Sequence, residues 1–168
     1  MNPMREIKIE KVTLNIGVGE GGDKLSKAKR VLEGITGRKP ARTQAKRTIR
    51  EWGVKQGASM GCKVTLRDEE AVKTLKRLFD AVERCLNKDC FDDGGNFAFG
   101  IKEHIDIPGV SYDPEVGLFG MDVCVTLCRP GYRIRRRRRQ PKRIPKGHRV
   151  TKEEAINFIT EKFGVQVV

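Results

Sequence analysis

The sequence predicts an α+β fold: a single domain whose largely antiparallel sheet carries helices packed on one face. Three observations lead there. Strand patterns with one apolar and one polar side recur along the chain. The helix patterns do not alternate regularly with them, so a series of βαβ units is not indicated. The 168 residues suffice for one core and leave no length for a second. A strand with a polar side is half-buried, which suits a sheet covered on one face only.

From Ile7 the chain enters a strand, with Val12, Leu14, Ile16 and Val18 on one side and Thr13, Asn15 and Gly17 on the other. After GVGEGGDK, the spacing of Leu25, Ala28, Leu32 and Ile35 predicts a short amphipathic helix, with Asp23 as its N-cap and Gly37 as its stop. Cys62, Val64 and Leu66 alternate with Lys63, Thr65 and Arg67, a second half-buried strand with a cationic outer side. Asp68, Glu69 and Glu70 are expected to cap a long helix with Val72, Leu75, Phe79, Val82 and Leu86 as its buried stripe.

A turn-rich stretch, Asn87 to Asn96, precedes the alternating Phe97, Phe99 and Ile101. Ile105 and Ile107, running up to Pro108-Gly109, predict further strand and then a turn. Met121, Val123, Val125 and Leu127 alternate most clearly of all. Thr151 and Glu154 stand at capping-box spacing, opening a last helix over 151–163 with Ile156, Ile159 and Phe163 inward. Gly164 ends it, and Val165 to Val168 are expected to add a short strand.

The charge is local. Of a formal net +13, the segment Gly37–Arg67 holds +8 and Arg129–Arg149 holds +11, so the remaining 116 residues carry −6. Clustered cations release counterions when they meet phosphates, so this asymmetry predicts a polyanionic partner. The first segment contains a basic loop, 46–58, expected to be mobile and carrying the only tryptophan, Trp52. The second is a basic arm, 129–149, with three prolines and eleven Lys or Arg, expected to stay unordered until it meets RNA.

Several chemistries are disfavoured, and a nucleotide-dependent enzyme using the Gly17–Gly22 loop is the alternative reading. Gly17, Gly19 and Gly22 satisfy G-x-G-x-x-G between a strand and a helix, the context of a nucleotide-dependent enzyme. The helix then runs into GRKPARTQAKR instead of a second buried strand, and Glu20 and Asp23 put negative charge where a pyrophosphate would lie. These are read as turn glycines. His104 and His148 lack metal or triad spacing, and the five cysteines form no C-x-x-C pair, so neither a metal, nor a cofactor, nor catalysis is expected. Cys62 and Cys85 are expected to be buried thiols. The opening NPMREIKIEK is polar and no run approaches a membrane span, so a cytosolic chain with neither membrane nor small-molecule partner is expected.

If the two polar-sided strands are neighbours, Thr13 and Asn15 lie beside Lys63, Thr65 and Arg67 on one open face. Such a face offers hydrogen bonds and charge with few aromatics, which suits the backbone and 2′-hydroxyls of structured RNA.

The stretches KVTLNIGVGEGGDKLSKA, ITGRKPARTQAKRTI, GCKVTLR, FDDGGNFAFGIKEHIDIPGV and LFGMDVCVTL together resemble the large-subunit ribosomal protein L5 family, over nearly the whole chain and in order. HRVTKEEAINFITEKFGV after the basic arm resembles its archaeal and eukaryotic branch. The resemblance implies a structural RNA-binding protein over 1–168 that attaches 5S rRNA to the central protuberance. It implies 5S rRNA contacts at Asn15 and Thr65, with Thr13, Lys39, Lys63 and Arg67 around them. Arg38 stands where the family has a Gln that makes a third 5S rRNA contact; the substitution changes that hydrogen bond, and Arg38 is expected to meet a phosphate of the same RNA instead. The loop, through Arg47, Thr48, Arg50, Trp52 and Lys55, is implied to approach P-site tRNA and a small-subunit protein. The arm, through Arg133, Arg135, Arg136, Arg137, Arg138, Arg139, Lys142 and Arg143, is expected to thread among 23S rRNA phosphates beside neighbouring large-subunit proteins.

Overall fold

The computed structural model describes residues 2–168. Its elements are β1 (Lys8–Gly17), α1 (Asp23–Thr36), β2 (Ala41–Gln44), β3 (Ser59–Leu66), α2 (Asp68–Asp80), β4 (Cys85–Leu86), β5 (Phe97–Ile101), β6 (Met121–Cys128), α3 (Lys152–Phe163) and β7 (Gln166–Val167). Five strands form one sheet in the order β2-β3-β1-β6-β5, every neighbour antiparallel. β4 and β7 make a separate parallel pair. This is the α+β architecture that the two-faced strands predict.

The period-2 alternation turns Val12, Leu14, Ile16, Cys62, Val64, Leu66, Met121, Val123, Val125 and Leu127 to the same side, and all are buried there. The helices close over that side. Phe79 of α2 is the hub: its ring stacks on Phe97 and Phe99 of β5 at 6.3 and 5.6 Å and meets Phe163 of α3 edge-on at 5.4 Å. Truncating a ring buried at such a junction costs about 3–5 kcal/mol. Gly61 of β3 is required by space, since a Cβ there would stand 2.5 Å from the carbonyl oxygen of Ile16 on β1.

The caps follow the sequence in part. Thr151 and Glu154 form the expected reciprocal capping box of α3, and Gly37 and Gly164 end α1 and α3 in the left-handed conformation. Gly22, not Asp23, is the N-cap of α1; Asp23 is its first residue, where its charge still favours the helix N-terminus. Likewise Arg67 precedes α2 without a side-chain cap, and Asp68, Glu69 and Glu70 form its acidic first turn.

Four expectations are corrected. The stripe of α2 stops at Phe79, because Glu83 and Arg84 turn left-handed (φ 53° and 55°) and send Leu86 into β4 instead of along the helix. The segment around Ile105 is not strand but a 3-10 turn over His104–Asp106. His104 N–H donates to Phe119 O, its ring Nδ1 accepts from Phe119 N–H, and the chain folds back on itself. Cys62 is buried, and burial pushes its thiol up, but Cys85 is exposed on the short strand β4. The arm is seated on the body rather than unordered: Arg129, Ile144 and Val150 are buried, and 3-10 turns form over Tyr132–Arg135 and Lys146–His148.

Candidate nucleic-acid interface

The strand faces turned away from the helices form an open surface. In the β1–β3 register Thr13 is opposite Thr65 and Asn15 is opposite Lys63, so the residues singled out on two distant segments are direct neighbours. On the other side of β1, Thr13 faces Cys124 and Asn15 faces Asp122 of β6, with Ala98 and Gly100 of β5 beyond. Cross-strand neighbours of this kind stand about 5 Å apart. Lys63, Asp122, Cys124, Ala98 and Gly100 are all exposed. The surface is therefore a shallow plate of hydroxyl, amide and small groups with cations at its rim.

Asp122 was not legible as part of this site. The Asn15 amide donates through Nδ2 to Asp122 Oδ2 at 3.4 Å. That contact sets the amide orientation and leaves Asn15 Oδ1 as an acceptor toward solvent. The period-2 pattern says which side Asp122 faces, but only pairing β1 with β6 brings it to Asn15.

Arg67 lies at the end of β3, its Nη1 3.9 Å from Glu10. Arg38 is engaged elsewhere: its Nε lies 2.6 Å from Glu70 Oε2 in the first turn of α2. That hydrogen bond and the charge beside it raise the Arg38 guanidinium and hold the Glu70 carboxyl below the usual range. Lys39 is exposed at the corner leading into β2. Arg38 thus sits over a helix start, its guanidinium held by Glu70.

The basic loop is the tip of the β2–β3 hairpin, closed by reciprocal backbone bonds between Ile49 and Val54. Arg47, Thr48, Arg50, Trp52 and Lys55 are exposed, and Trp52 keeps 74% of its surface in solvent. Thr48 Oγ1 accepts from Gln56 N–H and so stiffens the tip. Nothing in the described chain covers the indole.

On the arm, Arg136 pairs with Glu10 and Arg137 Nε donates to Gln140 O at 3.0 Å. Arg133, Arg135, Arg138, Arg139, Lys142 and Arg143 are exposed and make no side-chain contact to an acceptor among the described residues. The arm's roots are tied down. Arg129 Nη2 meets Glu154 Oε1 at 2.7 Å, Tyr132 Oη accepts from Val150 N–H at 2.8 Å, and His148 Nε2 is 2.8 Å from Pro130 O. Burial alone would raise Glu154, but hydrogen bonds from Thr151 and Arg129 bring its carboxyl below the ordinary range.

The glycine loop between β1 and α1 has part of its backbone already committed. Val18 and Gly19 both spend their N–H groups on Met60 O at 2.9 Å. The strand after α1 pairs with β3 and not with β1, so no Rossmann unit exists here. Among the described residues no group of three or more His, Cys, Asp or Glu gathers as a metal site, and no helix is long and apolar enough to cross a membrane.

Comparison with known proteins accords with this arrangement. Residues 2–55 match the family described as ribosomal protein L5, and residues 59–158 match the C-terminal region of the same ribosomal family. The chain is 54% identical to the large ribosomal subunit protein uL5 of Sulfurisphaera tokodaii, over 100% of this chain and 96% of that one. It is 52% identical to uL5 of Sulfolobus acidocaldarius (99% and 94% covered) and 48% identical to uL5 of Methanosphaera stadtmanae (99% of both). The archaeal branch indicated by the C-terminal helix motif is thus where these relatives lie. The chain belongs to the ribosomal protein L5 family, structural proteins of the large ribosomal subunit and not enzymes.

Proposed function

We propose that the open face of the sheet binds 5S rRNA and helps attach it to the central protuberance of the large subunit, with the hairpin loop reaching P-site tRNA and a small-subunit protein. As a member of this family the protein works in the ribosome, in the cytoplasm. The observation that carries the reading is the register that sets Thr13 beside Thr65 and Asn15 beside Lys63 on a face no helix covers. Structured RNA presents phosphates and 2′-hydroxyls on a broad, shallow groove, and a plate of short polar groups with a cationic rim complements it. The exposed Trp52 between Arg50 and Lys55 supplies a stacking surface and charge for a second RNA at the loop tip. The arm, with six unpartnered cations among the described residues, neutralises 23S rRNA phosphates near neighbouring large-subunit proteins.

Filter binding of the whole protein to 5S rRNA, transfer RNA and random RNA tests this. Asn15→Ala and Thr65→Ala are each expected to weaken 5S rRNA by about 1–3 kcal/mol while leaving random RNA unchanged. Equal losses on all three RNAs would reject a specific sheet-face site.

A further inference from the structure

Between the arm and the β1–β6 side of the sheet lies a cleft of about 610 Å³. Lys11, Arg135, Arg136, Arg143 and Arg149 line it, and Glu10 is the one acid among its walls. The position of Glu10 is unusual. Along β1 it would share the apolar side with Val12, but the pairing with β6 slips between Ile9 and Lys11, the mark of a β-bulge. A bulge re-aims the side chain of the extra residue. The Glu10 side chain, only 12% exposed, meets Arg136 of the arm and stands 3.9 Å from Arg67, just past the end of β3.

We propose that this cleft is a second RNA site, taking one phosphodiester strand, and that Glu10 occupies a phosphate's position while the site is empty. The proposal rests on the reading of the arm as an RNA-binding element and deepens it. A carboxylate and a phosphate present the same kind of oxygen pair to a guanidinium, so Arg136 can pass from one to the other and keep an anionic partner. The volume suits a nucleotide or two of backbone and is too small for a duplex. RNA is favoured over an acidic peptide because the cleft is continuous with the open sheet face. Lys11 and Thr126, which pair across β1 and β6, line its floor and belong to the face that carries Thr13 and Asn15. Arg135 and Arg143 have no acceptor of their own among the described residues, so their charge is uncommitted until a strand enters. Glu10 then acts as a gate: an anion must outcompete it, and a polyanion threading the cleft does so where a lone ion does not.

The test uses the full chain and a fluorescent eight-uridine oligonucleotide, with 5S rRNA alongside. Glu10→Gln, which keeps shape and removes charge, is expected to bind the oligonucleotide about five- to tenfold tighter. The Arg135→Ala/Arg143→Ala double variant removes two side chains that support nothing in the fold. It is expected to bind about tenfold more weakly and to flatten the salt dependence by about two phosphate contacts. Unchanged or weaker binding by Glu10→Gln, or an unaffected double variant, overturns the site. An octaglutamate peptide that displaces the oligonucleotide as readily as unlabelled RNA does would show a general anion patch and overturn it too. Asn15→Ala separates the two sites, since it is expected to lower 5S rRNA binding and leave the oligonucleotide alone. Were it to spare 5S rRNA, the sheet-face reading would fail while the cleft stood.

Discussion

The hairpin loop 46–58 is held to the body through its own backbone, whereas the arm 129–149 is held by side chains sunk into it. In the loop, Ala45 bonds through its main chain to Gly57 and Ala58, Ile49 and Val54 exchange main-chain bonds, and no side chain is buried. In the arm almost no regular pairing exists. Instead Arg129 and Ile144 are buried, and Tyr132 Oη bridges to Val150 N–H and His148 O. Both segments are rich in Lys and Arg. Charge density alone therefore does not decide how a segment is held: the arm is anchored near its ends, and the cations between the anchors stay exposed.

Breaking the anchors separates the two regions most strongly. Arg129→Ala removes the buried partner of Glu154 and empties a packed site, and is expected to destabilise the protein by about 2–3 kcal/mol in urea unfolding. This effect depends on pH. The folded-state carboxyl of Glu154 lies below its ordinary value, so its stabilisation is present above the unfolded carboxylate pKa of about 4.3 and is lost as pH falls through the lower folded value. The gap between wild type and variant is therefore expected to be widest near neutrality and to narrow below about pH 4. A gap that stays constant with pH would show that packing, not the ion pair, holds the arm.

Tyr132→Phe keeps the ring and deletes the hydroxyl, leaving the Val150 N–H unpaired. A loss of about 1–2 kcal/mol is expected, together with faster proteolysis within the arginine run. Unchanged cleavage would mean the hydroxyl does not hold the arm's root. Trp52→Ala, at the loop tip, sharpens the contrast from the other side. It is expected to change stability by less than about 0.5 kcal/mol, because the indole rests on nothing in the described chain. A larger loss would show that the loop folds back over its tryptophan in solution.

Much of the candidate interface was legible because β-strand alternation has a fixed period. Thr13, Asn15, Lys63 and Thr65 stand at positions that must face away from Val12, Leu14, Val64 and Leu66, whatever those strands pair with. Glu10 was illegible for the complementary reason: a bulge breaks the period, and nothing local announces it. Arg129 reads as one more cation at the head of a basic run, and only the docking of α3 supplies Glu154, 25 residues later in the chain. Arg38 is a similar case. Its sequence neighbours are basic, yet its partner is Glu70 at the start of a helix that local pattern ties only to its own stripe.

Sequence alone determined which side of β1, β3, β5 and β6 is apolar, the capping box of α3, the stops at Gly37 and Gly164, and the confinement of positive charge to two segments. Each depends on contacts within a few residues, where spacing and side-chain chemistry are sufficient. The tertiary structure decided the order β2-β3-β1-β6-β5 and the register that joins Asn15 to Lys63 and Asp122. It also decided the early end of α2 and the seating of the arm over Glu10. These depend on which distant surfaces the core brings together, as where Phe79 of α2 packs among Phe97, Phe99 and Phe163, and not on any local preference.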